Sequence, residues 1–126
     1  MNNQIALVIT SISNPENKVL QDFAKKTTQY GYDYIIAGDE KSPADFFIKG
    51  CTFLSLKKQL DSGFSLAKIL PTKHYARKNL GYLEAMRRGA NIIVETDDDN
   101  YPKDSFWAKR EAYVQAGLYS NEGWLN

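Results

Sequence analysis

The chain has 126 residues, room for one small domain, with 43% hydrophobic and 25% charged residues, an ordinary balance for a globular protein. Its formal net charge of +1 gives no overall attraction to nucleic acid or an anionic membrane, and its single cysteine, Cys51, excludes an intrachain disulfide. No apolar run approaches the ~20 residues of a membrane span and the amino terminus lacks a signal-peptide pattern, so a cytoplasmic location is expected.

Taken in order, Ile5-Ala6-Leu7-Val8-Ile9 is a continuous apolar run, the pattern of a strand covered on both faces. Asn14-Pro15-Glu16 predicts an N-cap with proline at the first helical position. Val19, Leu20, Phe23 and Ala24 then share one helix face, and Gly31 ends the helix. Tyr34 to Ala37 reads as a second strand closing in Gly38-Asp39-Glu40, which completes a βαβ unit with parallel strands. Cys51 to Leu54 predicts a third strand, with Cys51 as a small buried apolar residue. Ser55 caps a short helix through Leu60, which Asp61-Ser62-Gly63 breaks. Phe64 to Leu70 is ambiguous, and Pro71 limits any helix there. Tyr75 to Arg88 is helical, with Leu80, Leu83 and either Met86 or the stem of Arg87 turned to the sheet, and Gly89 as C-cap. Gly81 lies inside this helix at a cost of about 1 kcal/mol relative to alanine, which a close approach to the sheet or to a ligand would explain. Past Pro102 the pattern weakens: Phe106 to Leu118 has helical stretches, while Trp107, Tyr113 and Trp124 suit an irregular region equally. The alternation predicts a Rossmann-like, three-layer α/β/α arrangement around a mostly parallel sheet. Residues 1–126 are expected to form a single α/β domain truncated at its carboxyl end, because little chain follows the last strand to cover it.

That last strand, Ile92-Ile93-Val94-Glu95, runs through Thr96 into Asp97-Asp98-Asp99-Asn100. Adjacent carboxylates repel, so the fold needs a positive charge among them, and a hard divalent cation with oxygen ligands is one source. In strand geometry Asp97 and Asp99 would share a face, their Cβ atoms about 7 Å apart, with Asp98 turned away. An acidic run is also an ordinary solvated loop. Its place here, beyond the carboxyl end of a strand, is where open α/β sheets gather ligands. An EF-hand loop is excluded, since Tyr101 takes a ligand position and the required glycine is missing. Upstream, Arg77, Lys78 and Asn79 open the preceding helix, where cations oppose the helix dipole. A phosphate bound by Arg77 and free backbone N–H groups would resolve that conflict, whereas Lys78 reads as a solvated surface cation. His74, the sole histidine, reads as structural or exposed.

Two stretches together carry a resemblance. Arg77-Lys78-Asn79-x-Gly81-Tyr82-x-x-Ala85-x-x-x-Gly89-Ala90 followed by Ile93-x-Glu95-Thr96-Asp97-Asp98-Asp99-Asn100 resembles the STELLO-like glycosyltransferases and, more broadly, GT-A transferases. Val8-Ile9-Thr10-Ser11-Ile12, Ala37-Gly38-Asp39, Leu54-Ser55-Leu56 and Gly123-Trp124-x-Asn126 match in kind and order, so the likeness covers nearly the whole chain but only the amino-terminal part of a family domain. It implies a metal-dependent glycosyltransferase that binds a nucleotide-diphosphate sugar, a UDP-sugar in the favoured case, and passes the sugar to an acceptor hydroxyl. Thr10 and Ser11 would border the base, and Asp39 would hydrogen-bond the base or ribose. Arg77 and Asn79 would approach the nucleotide or its phosphates, with Asp97 and Asp98 also on the substrate side. Asp97 and Asp99 would hold Mn²⁺ or Mg²⁺ in an Asp-x-Asp arrangement. Thr10 and Ser11 also suit helix capping and Asp39 a turn. No general base can be named. A nucleotidyltransferase of similar fold and a non-catalytic α/β module with a cation-binding or solvated acidic loop are the alternatives. The first lacks its glycine-rich, lysine-bearing loop here. Paired-carboxylate glycoside hydrolysis is a poor fit, because adjacent aspartates do not flank a sugar from opposite sides.

Overall fold

A computed structural model describes residues 4–111, 113–120 and 122–123. Four strands form one all-parallel sheet: β1 (Ile5–Thr10), β2 (Asp33–Ala37), β3 (Thr52–Leu54) and β4 (Ile92–Glu95), in the order β3-β2-β1-β4. Leu7 pairs with Tyr34 on one side and with Val94 on the other, so β1 is central. Ala6 to Ile9 are accordingly 0% exposed, as a strand covered on both faces requires.

The period-two alternation of β1 sorts its side chains between two layers. Leu7 and Ile9, with Tyr34, Ile36, Phe53 and Val94, pack against α1 (Lys18–Tyr30) through Val19, Leu20 and Phe23. Ala6, Val8 and Ile35 face α4 (Lys78–Arg87) through Ala85. The three-layer α/β/α arrangement is therefore present. Between β3 and α4 lie two short helices, α2 (Leu56–Leu60) and α3 (Leu66–Ile69), and a 3₁₀ turn at Tyr75–Arg77. A second 3₁₀ turn, Asp104–Trp107, places Trp107 in the α1 layer, stacked on Tyr30 at 5.3 Å.

Several expectations are corrected. Helix α1 begins at Lys18, capped by Asn17, whose Oδ1 accepts from the N–H groups of Val19 and Leu20. Asn14 instead closes a turn onto Glu16 N–H. Met86 is 57% exposed rather than turned to the sheet, and Arg87 lies over the Phe64 ring while donating to Ser62 O. Helix α4 meets the sheet through Leu80, Gly81 and Ala85, small residues that bring it close. A Cβ on Gly81 would lie 2.5 Å from Val8 Cγ1, so the glycine serves helix–sheet approach. The buried position that this face adds is Glu84, neutralised by Arg87 and Arg88. Burial works against the Glu84 carboxylate, but the hydrogen bonds from Arg88 and Arg87 outweigh it and hold its pKa below the usual range. Gly89 takes φ +95° just after the helix, where Ala90 N–H returns to Ala85 O, the closure that favours glycine.

Strand β3 begins at Thr52, with Cys51 half-buried against the core and its thiol pushed up to about 12, burial being the main cause. The ambiguous stretch holds α3, which Pro71 stops. The described residues after Trp107 carry no helix, and Tyr113 is 94% exposed. Trp124 and Asn126 lie outside the described residues. Among those residues no helix is long and apolar enough to cross a membrane.

Candidate functional site

The strand order reverses at β1: the chain moves outward through β2 and β3, then returns to place β4 on the other side. Such a switch opens a crevice beyond the carboxyl ends of the strands. A cavity of about 410 Å³ lies there, lined by residues that follow β1 (Ser11, Ile12) and β2 (Gly38, Asp39), by the 73–77 segment and by Asp98.

Asp98 joins the two sides of the switch. Its Oδ2 accepts from Ser11 Oγ at 2.5 Å and Ser13 Oγ at 2.9 Å, and its carbonyl accepts from Asn17 Nδ2 at 3.3 Å. Asp98 is turned away from Asp97, as expected, but the strand geometry that was expected to put Asp97 and Asp99 on one face does not extend to them. Strand β4 stops at Glu95 and residues 98–99 form a turn, so period-two alternation does not reach the aspartates. Asp97 lies beside α4, where Lys78 Nζ donates to its Oδ1 at 3.0 Å. Asp99 is exposed and makes no hydrogen bond or ion pair among the described residues.

The positive charge demanded by the acidic run comes in part from the chain itself. Lys78 Nζ also donates to Glu95 Oε2 at 2.9 Å and to Thr96 O at 3.2 Å, and its side chain is only 12% exposed. Lys78 is thus not a solvated surface cation. Burial opposes its charge, but its hydrogen bonds to the Glu95 and Asp97 carboxylates raise its pKa on balance. Lys78, with Tyr82 Oη donating to the same oxygen at 2.9 Å, holds the Glu95 carboxyl below its usual range.

Arg77 is arranged differently. It is 2% exposed, and its guanidinium donates from Nε to Gln59 Oε1 at 2.7 Å, from Nη1 to Leu70 O at 2.9 Å and from Nη2 to Ala67 O at 3.3 Å. All three acceptors are neutral, and no carboxylate pairs with it among the described residues. Gln59, itself buried, is anchored by its Nε2 donating to Gly38 O and Leu54 O. A guanidinium has five N–H donors, so two remain on a side chain that lines the cavity. Burying an unneutralised charge is costly, and an anion in the cavity would relieve it.

The rim is pinned from the opposite side. Thr72 Oγ1 donates to Glu40 Oε1, Lys73 Nζ pairs with Glu40 at 3.3 Å, and His74 N–H donates to Asp39 Oδ2 at 3.3 Å. His74 Nδ1 accepts from Ala76 N–H and so caps the 3₁₀ turn, while Lys73 sits at φ +55°, uncommon for a side chain with a Cβ. Of the sequence-predicted residues, Thr10, Ser11, Asp39, Arg77 and Asp98 line this cavity. Asp97 and Asp99 stand outside its lining, as does Asn79, which is exposed and donates to Ala76 O.

No family model matches the chain. It is 31% identical over 115 residues to "Probable glycosyltransferase STELLO1" of Arabidopsis thaliana, covering 91% of this chain and 14% of that protein. To "Probable glycosyltransferase STELLO2" of the same plant it is 30% identical over 91 residues, 72% of this chain and 12% of that protein. Over this stretch the chain belongs to the STELLO-like family. The STELLO-like chain therefore spans a small part of the length of the relatives it matches.

Sequence reasoning did not find Ser13, Asn17, Gln59 or Tyr82, nor the pairing of Lys78 with the acids. Gln59 meets Arg77 across 18 positions and Ser13 meets Asp98 across 85, and no local spacing encodes such contacts. One signal was available for Lys78: a lysine opening the helix before an acidic strand end is within reach of it once helix and strand pack in parallel layers.

Proposed function

We propose that the cavity binds the diphosphate and nucleoside of an activated sugar, and that the chain is the donor-binding portion of a glycosyltransferase. The observation that carries this reading is Arg77: a buried guanidinium without an acidic partner, lining a crevice at the switch point of a parallel sheet. Lys41, exposed on the same lining and unpaired among the described residues, adds positive charge. Phosphate oxygens are the natural complement to a planar, multiply donating cation. Asp39, Thr10 and Ser11 offer acceptors and hydroxyls suited to a base and ribose, with a UDP-sugar the favoured donor. The names of the relatives agree with transferase chemistry.

A divalent cation, Mn²⁺ or Mg²⁺, is what this reading calls for at the acidic turn, although among the described residues no group of three or more His, Cys, Asp or Glu forms that could hold one by itself. Magnesium keeps several waters and takes one or two protein carboxylates together with substrate phosphates, so a dedicated cage is not required. Asp99 and the remaining Oδ2 of Asp97 would hold it. When bound it would supply Lewis-acid stabilisation of charge developing on the leaving diphosphate. Arg77 would orient the diphosphate, and the Ser11–Asp98–Ser13 contacts would keep the turn aligned with the end of β1. Asn79, at the start of α4, would approach the phosphates only on the outer side of that helix.

The test is calorimetric titration of the chain with UDP-sugars, with and without Mn²⁺. Metal-dependent binding that disappears in Asp99→Ala and persists in Asp104→Ala supports the reading. Binding indifferent to both changes, or no binding at all, removes it.

A further inference from the structure

Tyr75 lines the cavity and is nevertheless 78% exposed. Among the described residues its ring makes no aromatic contact and its hydroxyl no hydrogen bond. Tyr30, also exposed at the surface, instead stacks on Trp107. An aromatic face left to water forfeits burial that a flat ligand would supply. The backbone beneath Tyr75 is held from both sides. Asp39 Oδ2 accepts from His74 N–H, His74 Nδ1 accepts from Ala76 N–H, and three acceptors anchor the Arg77 guanidinium. Just upstream, Lys73 sits at φ +55°, a conformation that persists where the surroundings fix it, and both it and Thr72 are tied to Glu40. The ring is thus presented on a preorganised turn, which lowers the ordering cost of binding.

We propose that Tyr75 is the residue on which the nucleobase of the bound nucleotide stacks, with Ile12, 51% exposed on the same lining, as a second apolar surface. This rests on the nucleotide reading of the cavity given above and adds the residue that holds the base. Tyr75 and Arg77 are two positions apart in one 3₁₀ turn, so their Cα atoms lie at most about 7 Å from each other. Both line one cavity, and a nucleotide whose diphosphate meets the guanidinium can therefore lay its base on the ring. Stacking tolerates every base, since each has a π-face, so Tyr75 supplies affinity and leaves the choice of base to polar groups at the strand ends.

The experiment is calorimetric titration of the whole chain with UDP and with inorganic pyrophosphate, Mg²⁺ being present throughout. Tyr75→Ala should weaken UDP binding at least about fivefold, the low end of what base stacking contributes, and leave pyrophosphate binding unchanged. Tyr75→Phe, which keeps the ring, should bind UDP within about twofold of the parent chain. Undiminished UDP binding by Tyr75→Ala overturns the proposal while leaving the diphosphate reading standing. An equal loss of UDP and pyrophosphate also overturns it, because the tyrosine would then act on the fold of the turn rather than on the base. Binding of neither ligand by the parent chain removes both readings. Nitration by tetranitromethane, read by mass spectrometry on the unmutated chain, needs no variant to fold. Saturating UDP should slow nitration of Tyr75 several-fold, pyrophosphate should not, and Tyr113, 94% exposed, should react at one rate throughout. Nitration of Tyr75 that UDP leaves unchanged, or that pyrophosphate slows equally, contradicts the proposal.

Discussion

Arg77 and Lys78 are adjacent cations, one buried and the other partly buried, with opposite surroundings. Arg77 lines the cavity and meets only neutral acceptors, from Gln59, Leu70 and Ala67. Lys78 meets two carboxylates and lies outside that lining. The change from a 3₁₀ turn to an α-helix between them sends one side chain towards α2 and α3 and the other towards the end of β4. A buried cation with neutral partners keeps its charge for a ligand, whereas one matched to acids organises the chain. The location of a cation in sequence therefore says less about its role than the acceptors that the fold brings to it.

The largest expected effect comes from Arg77→Ala. It leaves three acceptors without their donor and should destabilise the fold by roughly 3 kcal/mol or more, measured by urea unfolding, while abolishing diphosphate binding. Arg77→Lys should fold better yet fail to restore binding, because an ammonium lacks the planar fork. Ser13→Ala removes one of two hydroxyls from Asp98 and should cost about 1 kcal/mol. Lys78→Met should cost a similar ~1 kcal/mol at neutral pH, because its acid partners are half exposed and water can replace part of the interaction. Tyr82→Phe should lie within about 0.5–1 kcal/mol of the parent chain.

Proton linkage sharpens the same contrast. The Glu95 carboxyl is held below its ordinary 4.5 by Lys78 and Tyr82, so its contribution is present above that value and is lost as pH falls through the lower folded value. Lys78 is raised above its ordinary 10.5, so its contribution is present below that value and is lost as pH rises through the higher folded value. Thermal melts from about pH 3 to pH 7 should show an acid-side loss in the parent chain that shrinks in Lys78→Met. An identical acid-side profile in both would remove Lys78 as the cause.

The fold was legible where a local pattern has one physical reading. The apolar run of β1, the strands of the βαβ unit, the Ser55 cap and the glycines at 31 and 89 needed no tertiary information. The faces of α4 were not legible, because a helix lying on Gly81 and Ala85 buries small residues and a paired Glu84, which hydrophobic periodicity overlooks. Asn14-Pro15 has the composition of a helix start, but Asn17 is the residue that can cap the helix and reach Asp98 together. In the site, Thr10, Ser11, Asp39, Arg77 and Asp98 could be nominated because strand ends and helix starts are readable, and they line one cavity. How the three aspartates divide between Lys78, the serines and solvent could not be read, since it depends on the turn at 98–99 and on where α4 packs.

Calorimetric comparison of UDP with uridine on the unmutated chain is the most direct test of the diphosphate-binding claim. An unneutralised buried guanidinium predicts that UDP binds at least about tenfold more tightly than uridine, and that Arg77→Lys erases the difference. Equal binding of the two ligands, or a difference that survives Arg77→Lys, would contradict the account.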